Sequence, residues 1–292
     1  MFNKIPHSKV KRINELSSDE FIENYKNSST PVIISKLTES WSAIDKWNLD
    51  YLSQIAGDNI VPVYSSKPAK DNEHQHAATK HLPLRDYLEL LKHGENDLRM
   101  FFYNILNEVP ALLNDFTYPE IGLKFFKRLP VLFVGGRGTK VQMHYDIDLA
   151  DLILCHFGGT KHVLLIPPEQ TQYLYKVPYS FSALHSIDLS NPDYQTYPAL
   201  KKLQPTVAVL EHGDALYIPS GFWHYIIYEE IGFSMTLRAM PTRLKQRLTL
   251  LKNIFYTRTV EGIMRKLIGQ KWNDRNERLA VEKTHKTLNL YK

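Results

Sequence analysis

VQMHYDIDLAD, residues 141–151, decides how this chain reads. Apolar and polar residues alternate through it as on a strand, with His144 and Asp146 two residues apart. Side chains alternate sides along an extended chain, so the imidazole and the carboxylate are expected to share one face. They make two thirds of a 2-His-1-carboxylate site, the facial arrangement that leaves coordination positions open and suits non-haem Fe(II). A second His must then come from elsewhere in the chain.

The pair alone proves little, because 12 His and 31 acidic residues in 292 give about one His-x-acid by chance. Three occur. His93-Gly94-Glu95 follows the helical pattern LRDYLELLKHG, which should end on Gly94. His212-Gly213-Asp214 reads as a tight turn between apolar runs. Only His144 and Asp146 lie in a strand pattern that is followed by further strands.

Outward from this stretch, residues 129–240 carry eight short runs: LPVLFVGG, VQMHYDID, LILCHF, KHVLLIPP, TVAVLEHGD, ALYIPSGF, WHYIIYEE and GFSMTLRAM. Gly, Pro and acidic turns separate them, the signature of a sandwich or barrel. Two Greek keys in a jelly roll accommodate all eight. Residues 169–204 interrupt the strands, with EQTQYLY expected as a helix. Gly135-Gly136-Arg137-Gly138 lacks the Lys-Ser/Thr ending of a phosphate loop and leads into a strand, so it is read as a turn.

Residues 1–128 mix helices and strands without an internal period. Ser17 with Glu20 forms a capping-box pattern ahead of a helix to about Lys26. PVIIS and IVPVY read as strands around a helix over residues 50–56, and Leu84, Leu88 and Leu91 set an apolar stripe on another helix. RMFFYNIL, residues 99–106, is β-prone. Residues 66–81 read as a polar loop in which His74, His76 and His81 are solvated rather than metal-bound.

Residues 241–292 are expected to be helical. Leu244, Leu248, Leu251 and Phe255 form a stripe that Val260, Ile263, Met264 and Leu267 continue after a break near Gly262. Such a stripe packs on the barrel or pairs with its copy, and the copy is preferred, giving a homodimer. This segment holds thirteen Lys and Arg against four Asp and Glu, about +9, so the first 240 residues carry about −4 of the net +5. The excess reads as a solvated helical face or as contact with an acidic partner, including RNA.

A hydrophobic fraction of 43% and an aromatic fraction of 12% are those of a soluble globular protein. No apolar run approaches the roughly 18 residues of a membrane span, and MFNKIPHSKV has no signal-peptide core. A cytoplasmic protein without membrane contact is the expectation. The single Cys155, inside LILC, fits a reducing compartment and a buried, inert thiol.

A jelly roll brings together strands distant in sequence, so the missing ligand should be a His on a late strand. ALYIPSGFWHYIIY supplies His224. HYD, GGTKHVLLIPP, NPDYQTYP, HGDALYIPSGFWH and FSMTLR together resemble the JmjC or cupin-like family of Fe(II)- and 2-oxoglutarate-dependent oxygenases, in its hydroxylase branch. The resemblance is close over residues 129–240 and loose before them. It implies a double-stranded β-helix with an amino-terminal α/β elaboration, residues 1–128, and carboxy-terminal helices, residues 241–292.

By that resemblance His144, Asp146 and His224 are the iron ligands, and Lys161 in GGTKHVLL holds the distal carboxylate of 2-oxoglutarate. A fixed cation there agrees with chemistry, since the cosubstrate chelates metal through its other end. The chain departs from its relatives at three places. Asp151 stands where many carry Asn on the second strand. Arg238 stands where the last strand usually has Asn, with Thr236 and Ser234 on the same face by alternation. Tyr103 is the best hydroxyl donor on the RMFFYN run. Arg238 is expected to find a partner, because an unpaired Arg inside a barrel is costly, and Asp151 is the preferred one over the cosubstrate or an acidic substrate group.

The implied activity is hydroxylation of a C–H bond with O2 and 2-oxoglutarate. A protein or peptide side chain is the first substrate class, ahead of a tRNA base and a small metabolite. A single Cys rules out a Cys-based zinc reader module beside it. The rivals are a cupin that binds metal or ligand without catalysis and a zinc cupin isomerase or hydrolase, the latter having no use for Lys161.

Overall fold

The eight runs become eight strands: β1 (Val131–Gly135), β2 (Lys140–His144), β3 (Asp151–Phe157), β4 (Lys161–Ile166), β5 (Thr206–Leu210), β6 (Ala215–Ile218), β7 (Trp223–Tyr228) and β8 (Gly232–Ala239). The structure is a computed structural model that describes residues 1–65, 78–94 and 97–289. One sheet contains β5-β4-β7-β2 and the other β6-β3-β8-β1, so the chain alternates between sheets as a double-stranded β-helix. Leu152 and Leu154 of β3 meet Val163 and Leu165 of β4, Ala208 and Leu210 of β5, and Leu216 and Ile218 of β6 between the sheets.

Neither sheet has a solvated outer face over its centre, which is why these strands read as continuous apolar runs. Ile153, Cys155 and Phe157 point away from the barrel into a second core built with the amino-terminal segment, including Leu84, Tyr87, Leu88 and Leu91. Burial there raises the Cys155 thiol well above its ordinary range, as an inert thiol requires. On the other sheet Leu164, Ile166, Trp223 and Tyr225 pack under the insert residues Leu184, Ile187 and Leu200.

The amino-terminal segment continues the second sheet at both edges. Val32–Ile34 pairs with β6, and Leu98–Tyr103 pairs with β1 and leads to Ile60–Ser65 and Lys80–Pro83. Ser17 accepts from the Glu20 amide while the Glu20 carboxylate accepts from Ser17, the capping box expected at the first helix. The expected polar loop over residues 66–81 needs correction at its end, where Lys80–Pro83 is a strand because it pairs with residues 60–63. His74, His76 and Glu95 lie outside the described residues, and His81 is exposed. EQTQYLY forms only a 3-10 turn, Pro168–Tyr173, entered through two prolines.

Three helices close the chain: α1 (Leu244–Leu251), α2 (Arg258–Ile268) and α3 (Gln270–Thr287), the first two joined through a wide turn, Lys252–Thr257. The break expected near Gly262 falls instead at Gly269, whose φ of 65° an L-residue rarely adopts, whereas Gly262 sits inside α2. Leu244, Leu248 and Phe255 are 71%, 58% and 71% exposed, so the stripe does not pack on the barrel. Among the described residues no helix is long and apolar enough to cross a membrane.

Candidate metal centre

β2 and β7 are antiparallel neighbours, and their register sets His144 opposite His224. The two imidazole centroids lie 4.1 Å apart. Asp146 joins them from beyond the end of β2: the strand stops at His144 and the chain turns, with the Leu149 amide donating to the Asp146 carbonyl. The expected strand over HYD is thus corrected, since Asp146 reaches its partner by a turn rather than by alternation. Ligand atoms of all three residues lie within 4.8 Å of one another.

The environment sets their protonation. Burial, then the neighbouring imidazole, lowers His144 to about 3, and burial lowers His224 as well. Each Nδ1 faces a main-chain carbonyl, that of Gln142 at 2.8 Å and that of Phe222 at 3.2 Å. A carbonyl only accepts, so Nδ1 carries the proton and Nε2 keeps its lone pair for the centre. Burial acts to raise Asp146, but Arg238 and the two imidazoles outweigh it and hold the carboxyl at about 2. Two neutral imidazoles and one carboxylate form a donor set that suits a divalent first-row metal.

Arg238 decides which carboxylate oxygen is offered. Its Nη2 donates to Asp146 Oδ2 at 2.7 Å, while Nε and Nη2 grip Asp148 at 2.8 and 2.9 Å. Asp146 Oδ1 is left toward His144 Nε2, 3.9 Å away. The preference for an Arg238–Asp151 pair is therefore wrong, and strand parity explains it. Cross-strand partners share a face, and the register pairs Arg238 with Leu152 but Asp151 with Ala239. Asp151 looks outward and accepts from the Tyr217 hydroxyl at 2.8 Å and the Ser220 amide at 3.1 Å.

The triad opens into a cavity of about 790 Å³, whose lining includes Lys161, Thr236, Tyr228 and Arg99 as well as Arg238. Lys161 is fully buried. Its ammonium donates to Ser234 Oγ at 2.5 Å and lies 4.3 Å from the Tyr228 ring centroid, and among the described residues it has no acidic partner. Burial brings it down to about 7. Ser234 in turn contacts His156 Nδ1 at 2.9 Å, and His156 Nε2 meets the Gly159 carbonyl.

Tyr103 does not line this cavity, which corrects its expected role. A register shift between Met100 and Tyr103 turns the ring into the amino-terminal core, where its hydroxyl accepts from Asn59 at 3.2 Å. Arg99, on the near side of that shift, takes its place. It is 8% exposed, gives Nη1 to the Lys140 carbonyl and stands 5.4 Å from the Phe101 ring. Nothing in RMFFYN marks Arg99 as buried.

A model of the cupin-like domain matches residues 17–261, most of this chain. The chain belongs to the cupin-like family. Within it, this cupin-like protein is 28% identical over 240 residues to Jumonji C domain-containing protein 5 of Drosophila melanogaster, covering 78% of this chain and 59% of that one. It is 28% identical over 253 residues to tRNA wybutosine-synthesizing protein 5 of Gallus gallus, covering 80% and 77%. Lysine-specific demethylase 8 of Danio rerio matches at 27% over 243 residues, covering 79% and 58%. The cupin-like chain thus spans about three-fifths of the fly and fish relatives. The triad and Lys161 all fall inside the matched residues.

Proposed function

We propose that this protein is an Fe(II)- and 2-oxoglutarate-dependent dioxygenase that hydroxylates a C–H bond, with a protein side chain as its substrate class. One juxtaposition carries the reading: two neutral imidazoles and a carboxylate in one cavity with Lys161, a buried ammonium that no acid pairs among the described residues. An uncompensated buried cation is costly unless a ligand completes it. A metal-binding module without a cosubstrate has no use for it, nor has a zinc hydrolase.

In this reading His144 Nε2, His224 Nε2 and Asp146 Oδ1 hold the metal. Lys161, backed by Ser234, takes the far carboxylate of 2-oxoglutarate, with Thr236 and Arg99 as further donors in the same cavity. When bound, the metal and cosubstrate supply the oxidising chemistry, in which O2 and 2-oxoglutarate become succinate, CO2 and one hydroxyl on the substrate carbon. The chain's own part is to fix the ligands and keep the site dry. Arg238 holds Asp146 in one orientation throughout.

The expected result is slow release of succinate by the purified chain when Fe(II) and 2-oxoglutarate are both present. It should stop on chelation and in His144→Ala. Iron bound without any cosubstrate turnover would contradict the proposal. A tRNA base is the second reading, favoured by the basic carboxy-terminal segment and by the name of the Gallus gallus relative.

A further inference from the structure

α2 is laid on the molecule the wrong way round for an ordinary surface helix. Arg258, Glu261, Gly262 and Arg265, spaced as one helical face, line the cavity, while Ile263 and Leu267 on the opposite side are 51% and 75% exposed. α3 adds Trp272, Asn273, Asn276 and Glu277 to the same wall. Trp272 is 6% exposed, yet its indole N–H has no hydrogen-bond partner among the described residues, and Arg265 Nε has none either. Buried polar groups are seldom left so. Gln142 Oε1, an acceptor on β2 beside the metal centre, is also without a partner among the described residues.

Gly262 is the second peculiarity. A glycine inside a helix is unfavourable relative to alanine, and a Cβ placed here would meet nothing within 4 Å. The position keeps space rather than avoiding a clash. The wall also carries little net charge, since Arg258 and Arg265 are set against Glu261 and Glu277, with Arg265 bonded to Glu261 at 2.9 Å. Such a wall does not neutralise a polyanion. Its residues hold two buried donors without partners among the described residues, and another lining residue holds such an acceptor, the complement of a neutral amide.

We infer that Arg265, Gly262 and Trp272, lining one cavity with Gln142, form the substrate subsite and take a neutral amide group, a peptide unit or a carboxamide. Its oxygen accepts from Trp272 Nε1 and Arg265 Nε, and its N–H donates to an acceptor such as Gln142 Oε1. Tyr179, with its ring centroid 5.4 Å from that of Trp272, adds an aromatic surface beside it. The inference rests on the cavity being the substrate's chamber, and it deepens the protein-side-chain reading.

The test follows the Trp272 indole N–H signal by NMR, in the full chain alone and loaded with Zn(II) and 2-oxoglutarate. N-acetylglycinamide, N-acetylglycine and methyl phosphate are the probes, and Trp272→Phe assigns the signal. Trp47 and Trp223, whose indoles already donate to Asp115 and Thr171, are the internal controls. The diamide is expected to move the Trp272 signal downfield saturably, with affinity roughly tenfold lower in Arg265→Gln. In Gly262→Leu the shift should vanish while the melting temperature rises, which separates filling the space from unfolding. No saturable shift, or one with methyl phosphate or N-acetylglycine in preference to the diamide, overturns the inference. Because the apo chain suffices, a subsite that binds without any oxygenase chemistry would sink only the activity, and the converse only the subsite.

Discussion

Lys161 shows most clearly how the proposed site is set against the stability of the fold. Its folded value of about 7 lies below the roughly 10.4 of a solvated lysine, so the unfolded chain holds more protons between those values. Stability from this group therefore rises with pH across that window and is lowest below it. Lys161→Met is expected to raise the urea midpoint at pH 7 while weakening 2-oxoglutarate by about 10- to 100-fold, the worth of a charge-assisted hydrogen bond. In the parent, affinity should fall as pH climbs from 7 to 9, because the dianion needs the ammonium; calorimetry in buffers of different ionisation enthalpy would show proton uptake. Flat affinity over that range would remove Lys161 from the site. Arg238→Met leaves the partly buried Asp146 and Asp148 without their cation and should cost up to about 3–5 kcal/mol in denaturant unfolding. At this scale His144, Asp146, His224 and Lys161 were legible as a set, because motif spacing survives in the sequence. Asp151 and Tyr103 were not, because strand parity and a bulge decide which way a side chain points and neither is written locally.

Elements place these residues, and one tight fit is between β1 and β7. A Cβ on Gly135 would come within 2.7 Å of the Tyr228 ring, which itself lies against the Lys161 ammonium. Gly135→Ala is therefore expected to displace the ring and weaken 2-oxoglutarate several-fold in a chain with unchanged circular dichroism. Unchanged affinity would mean that Tyr228 has no part in holding Lys161. The wide turn after α1 has a comparable role, since Asn253 donates to the Ile147 carbonyl and so ties the loop that carries Asp146 and Asp148. The eight strands could be read in advance because each is a short run between turn residues. The insert could not, since its segments are held by tertiary contacts rather than by periodicity.

On the scale of the whole molecule, the carboxy-terminal helices have two faces with different duties. Their inner face walls the cavity, so removing residues 241–292 would open the site as well as change any assembly. Point changes are the cleaner probe. The exposed stripe through Leu244, Leu248 and Phe255 is proposed to bury itself against a second copy, and Leu248→Glu with Phe255→Glu should turn a dimer into a monomer in sedimentation velocity. A parent chain that is already monomeric would discard that proposal. The sequence announced the stripe but not the polar inner face, because an inward polar face makes sense only once the cavity it lines is known.

The triad and Lys161 are proposed to form one site for metal and cosubstrate. Anaerobic titration of the apo-protein with Fe(II) and 2-oxoglutarate tests it directly, through the visible charge-transfer band of the chelate. The band should appear in the parent and be lost both in His224→Ala and, at the same cosubstrate concentration, in Lys161→Met. Iron that binds the parent with no band, or a band that Lys161→Met leaves untouched, would contradict it.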